Sequence, residues 1–298
     1  MENGGYLVRA TAFDGRVRAF AVNATQVVAE LAERHETDPA VTAALGRTAT
    51  AALMLGAMLK EPDQLVTLRI RGDGPAGVLL ASANGRGEVR GLVGDPRPDI
   101  EQVNASGKLN VAGAVGDSGQ LTVTRDLGMR EPYSSMVELV SGEIGEDLAH
   151  YFATSEQIPS AVGIGVFVRT DGSVVAGGGY IVQIMAGLSD REVQEIEAVI
   201  AGLPHPTVML RAGESPEQIL ERIFPGGYSL LDRMPVRFHC PCSRERAERA
   251  LVLLGPAELE AILENDAEKG YTEAICEFCA ARYHFSPDQL RDLIQAAA

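Results

Sequence analysis

Cys240-Pro241-Cys242-Ser243-Arg244-Glu245 and Cys276-Glu277-Phe278-Cys279 contain all four cysteines of a 298-residue chain, and their reading decides how the rest is organised. Zinc takes sulfur ligands at about 2.3 Å in a tetrahedron, and each close pair can form one edge of it. The intervening residues 243–275 are long enough for two helices. The spacing therefore predicts a metal held by Cys240, Cys242, Cys276 and Cys279. One zinc ion is preferred, although four thiolates also suit iron or an iron–sulfur cluster. His239 and His284 lie near the pairs in sequence, but with four cysteines present they read as packing or surface residues. Arg244, Arg246 and Arg249 read as a solvated helix face that can add positive charge near the thiolates.

A structural zinc site is the plain reading of this spacing. The Cys-x-Cys pair adds a second one. Residues i and i+2, like those of a Cys-x-x-Cys pair, can approach closely enough to close a disulfide. The four thiolates thus have two stable fates: one metal ion, or two short local disulfides. Only the metal ties Cys242 to Cys276 across the insert. Short disulfide loops remove little unfolded-state entropy and do not replace that tie. Structural zinc contributes about 10–16 kcal/mol of apparent binding energy, against a whole-domain stability of about 5–15 kcal/mol. A module this small is expected to unfold when the metal leaves.

Outward from the cysteines, Val236–His239 reads as a strand leading into Cys240. Ser243 caps a helix reaching Leu254, and a second helix follows Gly255-Pro256 as far as Glu264. Tyr271–Ile275 reads as a strand, and Ser286-Pro287 starts a final helix. Residues 233–298 are expected to form a zinc-binding, redox-switch α/β module. Before them, Ser189 with Glu192 and Ser215 with Gln218 are capping boxes. Val193, Ile196, Val199, Ile200 and Leu203 stripe one face of the first helix. Residues 188–232 read as a helical linker with little core of its own.

The first 187 residues are strand-rich. Tyr6–Phe13 and Arg16–Val22 are read as a hairpin around Asp14-Gly15. Asp38-Pro39 opens a helix that is apolar on nearly every face through Leu59 and is expected to be a buried spine. Strands are expected at 65–71, 78–83, 88–93, 121–127, 135–140, 161–169 and 179–186, with a helix over 146–152. The fold class is α+β, with a large N-terminal domain, a helical linker and a small C-terminal module.

Apolar residues make up 46% of the chain and charged ones 22%, which supports a globular core. A net charge of −15 disfavours binding to the phosphates of nucleic acid. Met1 to Ala10 lacks a basic stretch followed by an apolar run, and the greasiest stretch, Ala49 to Leu59, is far below the roughly 20 residues that span a bilayer. No membrane partner is expected. Four cysteines confined to the last sixty residues suit a reducing cytoplasm rather than a secreted disulfide framework.

Other motifs read as decoys. Gly72-Asp73-Gly74-Pro75-Ala76-Gly77 matches a dinucleotide fingerprint but is followed by a strand rather than a helix. Gly116-Asp117-Ser118-Gly119 lacks a histidine placed for a triad. Gly177-Gly178-Gly179 reads as a bend or bulge. No enzymatic constellation survives, so the chain is read as not an enzyme.

At Cys240-Pro241-Cys242-Ser243-Arg244-Glu245 and Cys276-Glu277-Phe278-Cys279 the sequence resembles the redox-regulated thirty-three-kilodalton heat-shock chaperone (chaperonin) family of bacteria. The likeness runs the full length, including residues 84–91 and 155–163. It implies an ATP-independent holdase for unfolded or misfolding client proteins in the stress response. In such a protein the reduced, zinc-bound form is inactive. Oxidation pairs Cys240 with Cys242 and Cys276 with Cys279, releases zinc and loosens the module and linker. Active forms of the family commonly form homodimers. A linker stripe docked on the N-terminal domain only while the module is folded would join this behaviour to the cysteines. The rival readings are a zinc-ribbon protein with a purely structural zinc that binds nucleic acid, and an enzyme with a structural zinc.

Overall fold

The computed structural model describes residues 5–297. Compactness divides the chain into two units, the first ending at His239 and the second beginning at Cys240.

In the first unit, Tyr6–Ala12 (β1) and Val17–Asn23 (β2) pair in antiparallel register from Tyr6 opposite Asn23 to Ala12 opposite Val17. The connection spans residues 13–16, four residues rather than the expected Asp14-Gly15 pair. Phe13 and Asp14 both adopt left-handed φ, at 51° and 54°, and Gly15 follows at 83°. Arg16 Nε donates to the Phe13 carbonyl at 2.9 Å and closes this wider turn. Asn23 Oδ1 accepts from the Thr25 backbone N–H and starts Thr25–His35 (α1).

Pro39–Gly56 (α2) is the predicted spine: every residue in it except Pro39 and Arg47 is buried. Its two central threonines are tolerated because their hydroxyls bond back along the helix. Thr48 donates to the Ala44 carbonyl at 2.8 Å and Thr50 to the Gly46 carbonyl at 2.7 Å. The chain continues through Leu65–Gly72 (β3), Val78–Asn84 (β4), Glu88–Val93 (β5), Val111–Val115 (α3), Gly119–Asp126 (β6) and Tyr133–Glu138 (β7). Gly145–Tyr151 (α4) runs into a π turn at Phe152–Glu156, followed by Ser160–Val168 (β8) and Val174–Ile184 (β9). Helices Asp190–Ala201 (α5), Pro206–Arg211 (α6) and Pro216–Ile223 (α7) come next, then Ser229–Pro235 (β10) and Arg237–Phe238 (β11).

Two sheets form, in the orders β10-β1-β2-β9-β8 and β11-β5-β4-β3-β6-β7. One apolar cluster joins α2 to both. It takes Leu7, Phe20 and Ile181 from the first sheet, Leu68, Ile70 and Leu79 from the second, and Leu45, Leu53 and Met54 from the helix. A second cluster lies on the other face of the first sheet, where Val8, Val17, Ala19, Ala21, Tyr180 and Val182 are covered by Ile196 of α5, Met209 and Leu210 of α6, and Ile219, Leu220 and Ile223 of α7. Within residues 188–232, α5, α6 and α7 therefore form an outer layer over a sheet buried on both faces, while Ser229 onward joins the sheet as β10. This differs from the expected linker with little core of its own, and the 187/188 boundary falls inside the first compact unit. The physical reason is the apolar stripe itself, which finds a sheet face to bury against.

Gly177, Gly178 and Gly179 lie inside β9 and do not bend it; the one irregularity in its pairing with β8 is at Phe167/Val168. They are needed for close approach. A Cβ on Gly179 would sit 2.0 Å from the Gly163 carbonyl oxygen, and one on Gly177 would meet Val28 at 2.8 Å. The fingerprint-like Gly72 to Gly77 stretch is the turn between β3 and β4, as expected.

The second unit comprises Arg244–Val252 (α8), Pro256–Asn265 (α9), Thr272–Ile275 (β12), Arg282–Phe285 (β13) and Pro287–Ala297 (α10). Its core is small, with Leu251, Leu259, Phe285 and Leu290 at the centre. Among the described residues of the chain, no helix is long and apolar enough to cross a membrane.

Candidate metal centre

The second Cys pair sits in the loop of a β-hairpin. Strands β12 and β13 pair from Thr272 opposite Phe285 to Ile275 opposite Arg282, which leaves residues 276–281 to turn the corner. Ala280 takes left-handed φ of 56°, and the backbone N–H groups of Cys279 and Ala280 both donate to the Cys276 carbonyl, at 3.3 and 2.8 Å. Cys276 N–H in turn donates to the Ala281 carbonyl at 2.9 Å. This knuckle turns Cys276 and Cys279 to the same side. Glu273 braces the hairpin across the strands, accepting from Arg282 at 2.9 Å and meeting His284 Nε2 at 2.7 Å. Phe285 roots it in the module core.

The first pair arrives just before α8, whose N-cap is Ser243: its hydroxyl accepts from the Arg246 N–H. Arg244 rivets this side to the hairpin. Its guanidinium lies 4.4 Å over the Phe285 ring, donates to the His284 carbonyl at 2.8 Å and reaches Gln289 Oε1 at 2.9 Å. Arg244 is thus a packing residue. Arg246 and Arg249 stay exposed, as a solvated face requires.

Together these elements bring the four sulfurs within 4.8 Å of one another, a set that could hold a metal ion. Cys240 Sγ lies 3.8 Å from Cys276 Sγ, and Cys242 Sγ lies 3.3 Å from Cys279 Sγ. A tetrahedron with zinc–sulfur bonds of about 2.3 Å has sulfur–sulfur edges of about 3.8 Å, so the donor set fits. His284 is engaged by Glu273 and is not in the cluster; His239 lies outside it as well.

The thiols differ in their electrostatics. Burial is the largest influence on Cys240 and Cys279 and pushes both thiols up. Burial also opposes ionisation of Cys242, but hydrogen bonds from Tyr283 and from the neighbouring thiols outweigh it and hold Cys242 down to about 7. Tyr283 Oη donates to Cys242 Sγ at 3.1 Å, and this bond, with a smaller contribution from burial, pushes the phenol up to about 12. Cys242 is therefore the sulfur best prepared to bind or react as thiolate. The spacing of the cysteines does not point to Tyr283. Its one signal was an aromatic hydroxyl four residues beyond Cys279.

A family profile described as Hsp33 protein matches residues 5–286. The chain is 48% identical over 295 residues to the 33 kDa chaperonin of Geobacillus kaustophilus (strain HTA426), covering 99% of each. It is 46% identical over 288 residues to the 33 kDa chaperonin of Bacillus subtilis (strain 168), covering 97% of each. A crystal structure of the 33 kDa chaperonin from Thermotoga maritima superposes with a TM-score of 0.90 at 38% identity, covering 99% of both chains.

Proposed function

The chain belongs to the Hsp33 protein family, and from that premise we propose that it is a redox-regulated, ATP-independent chaperone that holds unfolding proteins under oxidative stress. The observation that carries the redox part is the cluster of four sulfurs within 4.8 Å. In the reduced state Cys240, Cys242, Cys276 and Cys279 hold one zinc ion. Bound there, zinc keeps the sulfurs as thiolates and closes the long loop between the two pairs.

Oxidation changes which residues are tied. Cys240 and Cys242 form one disulfide, and Cys276 and Cys279 the other. Each closure gives two electrons from a pair of thiolates to one hydrogen peroxide, which takes two protons from solvent and leaves as two waters. The zinc would depart as the divalent ion. The sulfurs then no longer bind the ion, and residues 243–275 lose their closure. A core centred on Leu251, Leu259, Phe285 and Leu290 is too small to hold the module alone. Residues 188–232 follow, and the outer face of the first sheet opens to clients. This is the sense in which the division 1–187, 188–232 and 233–298 is functional: compactness joins the first two in the resting protein, and oxidation separates them. The oxidised form works as a homodimer in the cytoplasm, without nucleic acid or membrane.

Light scattering from a chemically unfolded client tests this directly. The reduced, zinc-loaded protein should leave aggregation unchanged. Protein treated with peroxide at mildly raised temperature should suppress it in step with zinc release. Equal behaviour of the two forms would leave the cysteines a purely structural metal site.

A further inference from the structure

Residues 229–239, directly before Cys240, occupy an edge of each sheet in turn. Strand β10 pairs antiparallel with β1, from Tyr6 opposite Pro235 to Thr11 opposite Ser229, and Val236 N–H donates to the Gly5 carbonyl at 3.0 Å. Strand β11 then pairs in parallel with β5 at Glu88 and Val89, where Arg237 N–H donates to the Gly87 carbonyl and His239 N–H to the Val89 carbonyl. One short strap thus covers β1 from Tyr6 to Thr11 and the start of β5 at Glu88 and Val89. The opposite edges, β7 and β8, pair with no further described strand.

The strap is held mainly through its backbone. In β10 only Met234 is buried, while Ser229 to Arg233 all face solvent, with Leu230 at 43% and Leu231 at 58% exposure. Met234 and Val236 anchor it in the core between the sheets. Further side-chain fixings are the Arg233–Glu217 ion pair, the Arg237–Glu88 ion pair at 2.5 Å, and half-buried Phe238, which packs against that core with the Arg34 guanidinium 4.5 Å from its ring. An edge satisfied by main-chain bonds accepts any extended segment of adequate length, because the bonds do not depend on sequence.

We propose that β1 and β5 are client-binding edges, closed in the resting protein by residues 229–239 and taken by extended segments of unfolding polypeptides once that strap peels away. The proposal rests on the redox-gated holding described above and gives its capture step a chemistry, β-strand addition. It also matches the occupant to the site. The segment seated there now is itself an extended stretch of polypeptide, and six of the seven β10 side chains are exposed, so its hold on β1 rests largely on main-chain bonds.

Amide exchange on the full chain tests this, with a chemically unfolded client as the first probe. A synthetic peptide of residues 229–239 is the second, in plain and alternately N-methylated forms. In oxidised protein without client, edge amides of Tyr6–Ala12 and of Glu88 and Val89 should lose protection by about tenfold or more. They should regain it on adding client or plain peptide, but not the N-methylated peptide, which lacks half the donors. Protection at β1 and β5 that stays constant while the oxidised protein suppresses client aggregation would overturn the edge proposal and leave the holdase standing. Equal capture of both peptides would overturn it too. Protection that returns with rising protein concentration alone would assign the edges to a second copy of the chain instead. A protein that suppresses no aggregation in either state would remove the holdase reading itself.

Discussion

Tyr283 Oη donates a hydrogen bond to Cys242 Sγ at 3.1 Å, which places an aromatic hydroxyl directly behind one of the four sulfurs. Partners of this kind orient a ligand and tune its basicity, and their loss usually costs about 10–100-fold in metal affinity. Tyr283→Phe keeps the ring and removes the donor. The variant should hold zinc roughly tenfold more weakly in competition with a chromogenic chelator, with little change in the first unit's melting. Unchanged affinity would reduce Tyr283 to a packing residue.

Metal removal should unfold the second unit and leave the core of the first folded. Strong chelator added to the reduced protein should abolish amide protection in residues 244–297, because the module core cannot offset the lost metal–sulfur bonds. Protection in α2, inside the core shared by both sheets, should persist. Protection in α8 and α10 that survives complete zinc removal would show that the module folds without metal.

The outer helical layer is pinned at its start by Arg16, which meets Glu192 of α5 at 3.1 Å and donates to the Gly187 carbonyl at 2.9 Å. Glu192 also closes the capping box with Ser189, and hydrogen bonds from the Ser189 backbone and hydroxyl hold its carboxyl below the usual carboxylate range. Arg16→Ala removes the pin without touching the box. Exchange across α5 should quicken by roughly three- to fivefold in the reduced protein, and activation by peroxide should need a shorter exposure. Identical exchange in α5 would mean that Ile196 burial alone holds the helix.

His205 makes the layer sensitive to acid. Its Nδ1 accepts from the Thr207 N–H at the start of α6, and the ring packs so closely on Gly165 that a Cβ there would lie 2.3 Å from it. Burial, with smaller contributions from Arg47 and Lys108 and opposed by Glu143, lowers the affinity of His205 for a proton. A lowered folded value means that the unfolded chain binds more protons, so stability is full above the ordinary histidine range near 6.5 and falls as pH drops through it. Protonation also turns the Nδ1 acceptor into a donor and faces it with the positive end of the helix. Melting temperature should decline between about pH 7 and pH 5. His205→Asn, which keeps a capping acceptor and cannot titrate, should flatten that decline even if it melts lower throughout.

Local signals with a fixed spacing are legible in the sequence. The two cysteine pairs are, because a metal cluster needs only pairs in the right order. So is α2, marked by Asp38-Pro39 and by an apolar face that never turns polar. The capping boxes Ser189/Glu192 and Ser215/Gln218 start α5 and α7 where the sequence placed them. What stayed hidden depends on partners remote in sequence. Strand β10 has no alternation to reveal it, since its side chains face solvent and its partner β1 is more than two hundred residues away. Tyr283 acquires its role only through the register of β12 with β13. The five-residue α3 and six-residue α6 are too short to show a period. The glycines of β9 signal crowding from β8 and α1, which no one-dimensional pattern contains.

The sheet face beneath α5, α6 and α7 is built largely from alanine: Ala10, Ala12, Ala19, Ala21 and Ala176 make up five of the nine buried residues that the strands contribute there. Such a surface has little relief. Uncovered as proposed above, it would offer grip mainly in proportion to area rather than by fit to one kind of side chain. Under that proposal discrimination would pass from shape to time, and the chains retained would be those whose apolar segments stay extended longest.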